Sequence, residues 1–437
     1  MITSLIFLVM ANLKSKYLCF TTILLVLFFN FEEQFNVKLL FKNNTGYAID
    51  KISYFLGLTF LFVLWLILVA CSILNFEANK LKMILLGIFL SLILFGTVST
   101  NKLFLFFIFF EVSLVPMSLM IWGWGPGLKK ITAGFFLLMY TSIAGAPLLL
   151  NLLFIMSKFK ILTWGDLSGV AEVPVIFLYG LLVAFCVKLP VYMLHMWLPK
   201  AHVEASTTGS MILAGSLLKL GSFGLNRMIQ VLMKSPLSLL ILLSTLLHGL
   251  LVATYVACML ADGKTMIAMS SVSHMTILAG SLLTGSFLVS QNNQMASLTH
   301  GLVSPLMFFY FFCVYEPTKS RSVLLVKSTF LNTSHYLILL WFFCVFSNMG
   351  CPPFFSFFPE MLSFFLLLQY SFSNWGILMM FSLLMAGLST LLISRMYLAN
   401  AGKSSSKEGI LHSMGTMNVM AQSMALMLGG WVFLKNS

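Results

Sequence analysis

The sequence predicts an all-α polytopic membrane protein, on three observations. Of its 437 residues 60% are hydrophobic and only 8% are charged, a balance that no soluble domain carries. The apolar residues fall in long continuous runs rather than alternating with polar ones. Short charged or Gly/Pro/Asn-containing breaks separate the runs. Lipid offers no partner to an open backbone group, so runs of this kind are helices.

Taken in order, the runs place spans at about 3–13, 17–31, 52–74, 82–99, 102–121, 131–154, 174–198, 208–229, 237–260, 264–288, 294–315, 334–369, 375–398 and 414–434. That is about fourteen transmembrane helices in a single transmembrane domain over residues 1–437. The first two runs are short. The run at 334–369 is long enough to predict a broken or re-entrant helix. Soluble domains, long linkers and low-complexity tracts are not read anywhere. Met1 runs almost directly into apolar residues, without a basic presequence or a cleavable signal peptide. If the protein resides in an organelle, this predicts that it is organelle-encoded.

The net charge of +13 would suggest nucleic acid in a soluble protein. Here the basic residues lie mostly in short loops and set orientation instead. The odd-numbered loops carry 14 Lys and Arg and the even-numbered ones 8, which places the odd loops on the cytoplasmic or matrix side. The seven cysteines are scattered with no CxxC spacing, so disulfides, zinc and iron–sulfur clusters have no support. His195 and His202 approach metal-ligand spacing only loosely and have no evident third ligand; no metal site and no bound cofactor are expected in this chain.

Two spans are interrupted by proline, the seventh at Lys188-Leu189-Pro190 and the twelfth at Cys351-Pro352-Pro353. They stand five spans apart. Discontinuous helices in matching positions predict an inverted repeat of two five-helix halves, about 82–229 and 237–398, with the site at the breaks. Pro190 would free the carbonyl of Cys186, within a turn of Lys188.

Charges inside the spans single out the candidates. A charged side chain at mid-membrane costs about 2.5–3.5 kcal/mol on insertion scales, so it defaults to a functional role. Lys188 follows the apolar run from Val173, with Trp197 read as an interface marker a few turns on. Lys219 sits inside the run Met211 to Leu225. Among twelve carboxylates, Glu111 lies halfway through its span and Glu360 follows PPFFSFFP; the others, Glu204 included, lie in loops or at run ends. A buried lysine–glutamate pair can gain or lose a proton when its neighbours move, which suits a relay. Of the seven histidines, His300 is the best relay candidate. It follows the polar tract Gln291-Asn292-Asn293-Gln294 and is expected about one turn into its span.

At residues 187–221, VKLPVYMLHMWLPKAHVEASTTGSMILAGSLLKLG, the chain resembles the antiporter-like membrane subunits of NADH:ubiquinone oxidoreductase, mitochondrial complex I, which are related to bacterial cation/proton antiporter subunits. FFEVSLVPM around Glu111, DGKTMIAMSSVSHM from Asp262, THGLVSPLMFF around His300 and NMGCPPFFSFFPEML near Glu360 extend the resemblance over roughly residues 100–370. WLPKAHVEA with the following GSMILAG favours the chain 4 branch over the sister chains 2 and 5.

The resemblance implies fourteen helices with inverted five-helix repeats and discontinuous helices 7 and 12. It implies that Glu111 and Lys188 match the family's paired acid and lysine, Lys219 the lysine linking the half-channels, His300 the central histidine and Glu360 the acid on the broken twelfth helix. It implies proton translocation across the inner mitochondrial membrane, coupled to redox chemistry elsewhere. NADH, FMN, iron–sulfur clusters and ubiquinone would belong to partner subunits, with chains 2 and 5 as neighbours and lipids around. Three positions depart from the pattern: Ser206 stands for a usual proline, Met259 for a common arginine, and Pro359 for the usual glycine, where it can re-aim Glu360. A redox-independent cation/proton antiporter subunit is the alternative, and a non-transporting scaffold a third.

Overall fold

The computed structural model describes residues 51–73, 80–160, 162–169, 175–232, 236–286, 288–318, 321–323 and 335–397. The predicted spans at about 3–13, 17–31 and 414–434 lie outside them. The described chain is helical, with two isolated antiparallel β-bridges, Lys102 to Thr163 and Asp262 to Ser322.

In order, the helices are α1 (Lys51–Ile73), α2 (Lys80–Ser99), α3 (Leu103–Val112), α4 (Leu114–Trp124) and α5 (Lys130–Phe159). After a 3-10 turn at Trp164–Gly169 come α6 (Val175–Lys188), α7 (Trp197–Glu204) and α8 (Thr207–Ile212). A π-turn, Leu213–Leu217, joins α8 to α9 (Leu218–Leu232). Then follow α10 (Pro236–Met259), α11 (Gly263–Leu283), α12 (Val289–Thr318), α13 (His335–Asn348), α14 (Phe357–Tyr370), a short 3-10 turn and α15 (Trp375–Tyr397).

Seven of the described helical stretches are long and apolar enough to cross a membrane, among them α5, α11 and the α3–α4 pair. Four further apolar stretches are shorter, including those within α6, α13 and α14. Those in α6, α13 and α14 are arms of interrupted runs: residues 189–196 separate α6 from α7, and 349–356 separate α13 from α14.

The centre is built from α11 and α12, in each of which 94% of the most apolar window is buried. α12 packs against α1, α8 and α13, and α11 against α10. The outer helices are half-bare: α2 turns Leu81, Leu85, Phe89 and Leu92 outward along one stripe. Hydrocarbon is a good solvent for that stripe, so its exposure costs nothing in a bilayer.

α12 begins earlier than the sequence suggests. The tract Gln291 to Gln294 is helical rather than a break, so His300 lies about three turns into its helix. Asn292 Nδ2 donates to Ser281 Oγ on α11 (3.0 Å), and Asn293 Nδ2 to the Ser222 carbonyl on α9 (3.2 Å). Side-chain amides paired across helices tie the helices together instead of ending one.

Candidate functional site

Lys188 is the last residue of α6, where the negative end of the helix dipole favours a cation. The helix stops there because Pro190 has no N–H to continue it. The carbonyl of Cys186 is not left free, contrary to the expectation from sequence: Val191 N–H bonds to it at 3.1 Å. Trp197 is not an interface marker either. It is buried, and its indole N–H donates to the Val187 carbonyl at 2.9 Å, capping the broken end. Within the break Met193 takes φ 76°, a left-handed conformation that costs a non-glycine residue on the order of 1–3 kcal/mol.

Lys219 follows the π-turn directly, and its side chain is fully buried. Its ammonium donates back to the carbonyl of Ala214, inside the turn. A π-turn shifts the ladder by one residue and leaves a carbonyl to be used by a side chain, a device common at functional sites. The second partner of Lys219 is Nδ1 of His300 on α12, at 2.9 Å. Gly215 lets the π-turn close on α1 and α12, since a Cβ there would overlap Val63 and lie 2.7 Å from Pro305. Gly221 lets α9 ride against the α6 break, where a Cβ would sit 2.8 Å from Leu189 N.

Glu360 lies in the first turn of α14, the positive end of that helix. Pro359 costs no hydrogen bond there, because the first N–H groups of a helix have no intrahelical acceptor. The carboxylate reaches His274 of α11, Oε1 to Nδ1 3.2 Å. Gly350, at φ +70°, leaves room for it; a Cβ there would overlap the carboxylate.

The rings of His274 and His300 are 5.8 Å apart. With Nδ1 of His300 accepting from the lysine ammonium, its proton is on Nε2. With Nδ1 of His274 donating to Glu360, Nε2 of His274 is the acceptor. The two Nε2 atoms are buried and have no hydrogen-bond partner among the described residues. The two histidines line a cavity of about 40 Å³ together with Asn292, Ser347, Ser356 and Glu360. That volume accommodates water, which needs such polar partners. Lys219, His300, His274 and Glu360 thus form one donor–acceptor series with a single gap.

Glu111 and Lys188 form a second group. No ion pair joins them among the described residues: the Lys188 ammonium donates to the Phe110 carbonyl at 2.6 Å and lies 3.1 Å from the centre of the Phe110 ring. Glu111 Oε1 is buried without a hydrogen-bond partner. Nor does any described contact bond Lys188 to Lys219.

Of the five residues singled out from sequence, the structure therefore joins Lys219 to His300 directly and to Glu360 through His274, and leaves Glu111 and Lys188 as neighbours. His274 is the member the sequence reading passed over. The polar run Ser270-Ser271-Val272-Ser273-His274 inside a wholly buried helix was the available signal. Lys264, counted with the loops, is buried and donates to the Ala205 carbonyl at 3.0 Å. Glu204 closes α7 with Oε2 buried. His202 stacks flat on Phe308 at 4.6 Å, and His195 stacks on Tyr192 at 5.0 Å. Among the described residues, no three His, Cys, Asp or Glu side chains converge as metal ligands do.

The family model described as NADH:quinone oxidoreductase/Mrp antiporter, transmembrane region, matches residues 100–389. NADH-ubiquinone oxidoreductase chain 4 of Locusta migratoria is 39% identical over 261 residues, 60% of this chain and 59% of that protein. The chain 4 proteins of Ceratitis capitata (36% over 306 residues; 70% of this chain, 68% of that one) and Artemia franciscana (37% over 275; 62% and 69%) are similar. The matches thus span about three-fifths to two-thirds of these relatives' length. In fold, a chain of respiratory complex I from Thermus thermophilus with bound NADH superposes with a TM-score of 0.79 at 18% identity, covering 93% of this chain and 88% of that one. With the family model matching well over half of its length, the chain belongs to the NADH:quinone oxidoreductase/Mrp antiporter transmembrane family.

Proposed function

We propose that this chain is a proton-translocating membrane subunit of mitochondrial complex I, in the inner membrane. The observation that carries the proposal is the series Lys219–His300–His274–Glu360, buried up to a partly exposed Glu360 and lying between two broken helices. A lysine ammonium can protonate Nδ1 of His300 while its Nε2 proton leaves; His274 takes up that proton on Nε2, across water in the cavity, and yields one to Glu360. Each step passes between adjacent donors and acceptors, and the apolar helices around it prevent leakage. Lys188 would charge and discharge against Glu111, passing its state to Lys219 through the α6 break and α9.

Redox chemistry falls to partner subunits: NADH, FMN, iron–sulfur clusters and ubiquinone lie there, and this chain carries no redox centre. The names of the relatives support membership of an NADH–ubiquinone oxidoreductase. Chains 2 and 5 would be its membrane neighbours, and the chain would be encoded in the organelle with its odd loops in the matrix.

Fourteen spans in two inverted five-helix halves, about 82–229 and 237–398, complete the architecture. The two β-bridges support the repeat. Leu103 N–H bonds to the Leu162 carbonyl and Trp164 N–H to that of Asn101; Gly263 N–H bonds to the Arg321 carbonyl and Val323 N–H to that of Ala261. Each bridge precedes a broken helix by the same interval of spans.

The test is the proton-to-electron stoichiometry of the complex in sealed vesicles. Lys188→Ala should lower it while assembly persists. Unchanged stoichiometry would favour a scaffold, and sodium-dependent proton exchange in a membrane lacking NADH oxidation would favour the antiporter alternative.

A further inference from the structure

We propose that Phe110 and Gly145 are positioning residues that hold Lys188 and Glu111 apart, giving the pair a built, unpaired state. The inference deepens the relay just proposed and rests on it.

The lysine has a seat of its own. Its ammonium is hydrogen-bonded to the Phe110 carbonyl and lies over the Phe110 ring. A desolvated cation over an aromatic face is held by the ring quadrupole, and a neutral amine is not. The ring itself is buried and locked, with Phe106 at 5.5 Å and Phe185 edge-on at 5.8 Å. The carbonyl is available because α3 breaks at Ser113, whose hydroxyl also donates to it at 2.7 Å.

The carboxylate has a separate seat. Glu111 is the next residue in α3, so its side chain leaves the helix about 100° around from Phe110. Oε1 occupies the space over Gly145 of α5, where any Cβ would overlap it. Among the described residues no hydrogen bond holds Oε1 in that space. Two adjacent residues of one helix thus present a cation trap on one side and a carboxylate on the other. The two seats compete for the charged lysine, the ring and carbonyl of Phe110 on one side and the Glu111 carboxylate on the other. The ring tips that competition to the parted state, and weakening its hold lets the ammonium pair with Glu111.

The experiment uses the whole complex carrying variants of this chain, examined by cryo-electron microscopy and in vesicles. In Phe110→Leu, which keeps an apolar side chain and loses the ring, the Lys188 ammonium should lie within ion-pair distance of Glu111, and the coupled rate should fall about thirtyfold, the factor a desolvated cation–π contact is worth. Phe110→Tyr keeps the ring and should restore both, to within about twofold of the unaltered chain. Gly145→Ala should drive the carboxylate onto Lys188 with the same loss of rate, and it decides the matter if the leucine variant does not assemble. Tyrosine and leucine failing alike, or Lys188 staying on the Phe110 carbonyl in both Phe110→Leu and Gly145→Ala, overturns the proposal. An unchanged stoichiometry in Lys188→Ala instead sinks the relay itself, and this inference with it.

Discussion

Replacing Lys219 by methionine separates transport from folding. The ammonium has two partners, the Ala214 carbonyl in the π-turn and Nδ1 of His300. Removing it leaves both buried acceptors without a donor, at about 1–3 kcal/mol each. Against this stands the burial of a charge at mid-membrane, about 2.5–3.5 kcal/mol, which methionine no longer incurs. Ser304 Oγ, which donates to the His300 carbonyl at 2.7 Å, stands 3.4 Å from both acceptors and can turn its proton to one of them. The two sides nearly cancel, so Lys219→Met should assemble normally, with a net change of about 2 kcal/mol or less. Transport should not survive, because His300 loses its proton donor. The assay pairs a native gel, for assembly, with proton-to-electron stoichiometry in vesicles. Normal assembly with normal stoichiometry would refute the relay; loss of assembly would refute the cancellation and make Lys219 a structural residue.

Three further outcomes follow from the same geometry. Glu360→Gln and His274→Ala each cut the 3.2 Å pair, and should lower translocation alike, with the double variant no worse than either single one; additive losses in a double-mutant cycle would show independent roles. Trp197→Phe removes the donor to the Val187 carbonyl and should destabilise the break by about 1–3 kcal/mol, read as earlier thermal release of this chain from the complex with stoichiometry preserved in what remains. Gly350→Ala meets both a left-handed φ and the Glu360 carboxylate, so it should depress translocation more than it depresses assembly; equal depression of both would argue against a poised carboxylate.

Much of the fold was legible because a membrane enforces simple rules. Continuous apolar runs must be helices, and proline removes a ladder bond, so the breaks after Lys188 and before Glu360 could be expected from residue types, although Pro147 and Pro305 are carried inside α5 and α12 without a break. Charge burial singled out Glu111, Lys188, Lys219 and Glu360 for the same reason: each is expensive where it stands. What misled was polarity taken as punctuation. Asn292 and Asn293 looked like the end of a helix and instead bind its neighbours, because an amide inside a bundle finds partners that it would lack in lipid. Trp197 looked like a membrane-surface residue and instead caps a carbonyl, since a broken helix creates buried acceptors that no run of letters displays.

The sequence by itself determined the all-helical membrane architecture, the two interruptions and the list of buried charges, since all three depend on the chemistry of single residues and their near neighbours. Only the tertiary structure decided the wiring. Lys219 meets His300 because a π-turn turns its side chain and Gly215 makes room for Pro305 of α12. Glu360 meets His274 because Pro359 falls in the first turn of α14, where it costs no helical hydrogen bond. Glu111 and Lys188 stand apart because α3 turns Phe110 to one and Gly145 makes room for the other. Those choices depend on helix phase and approach between residues some 80 positions apart in the chain, as Lys219 and His300 are, and local composition is blind to both.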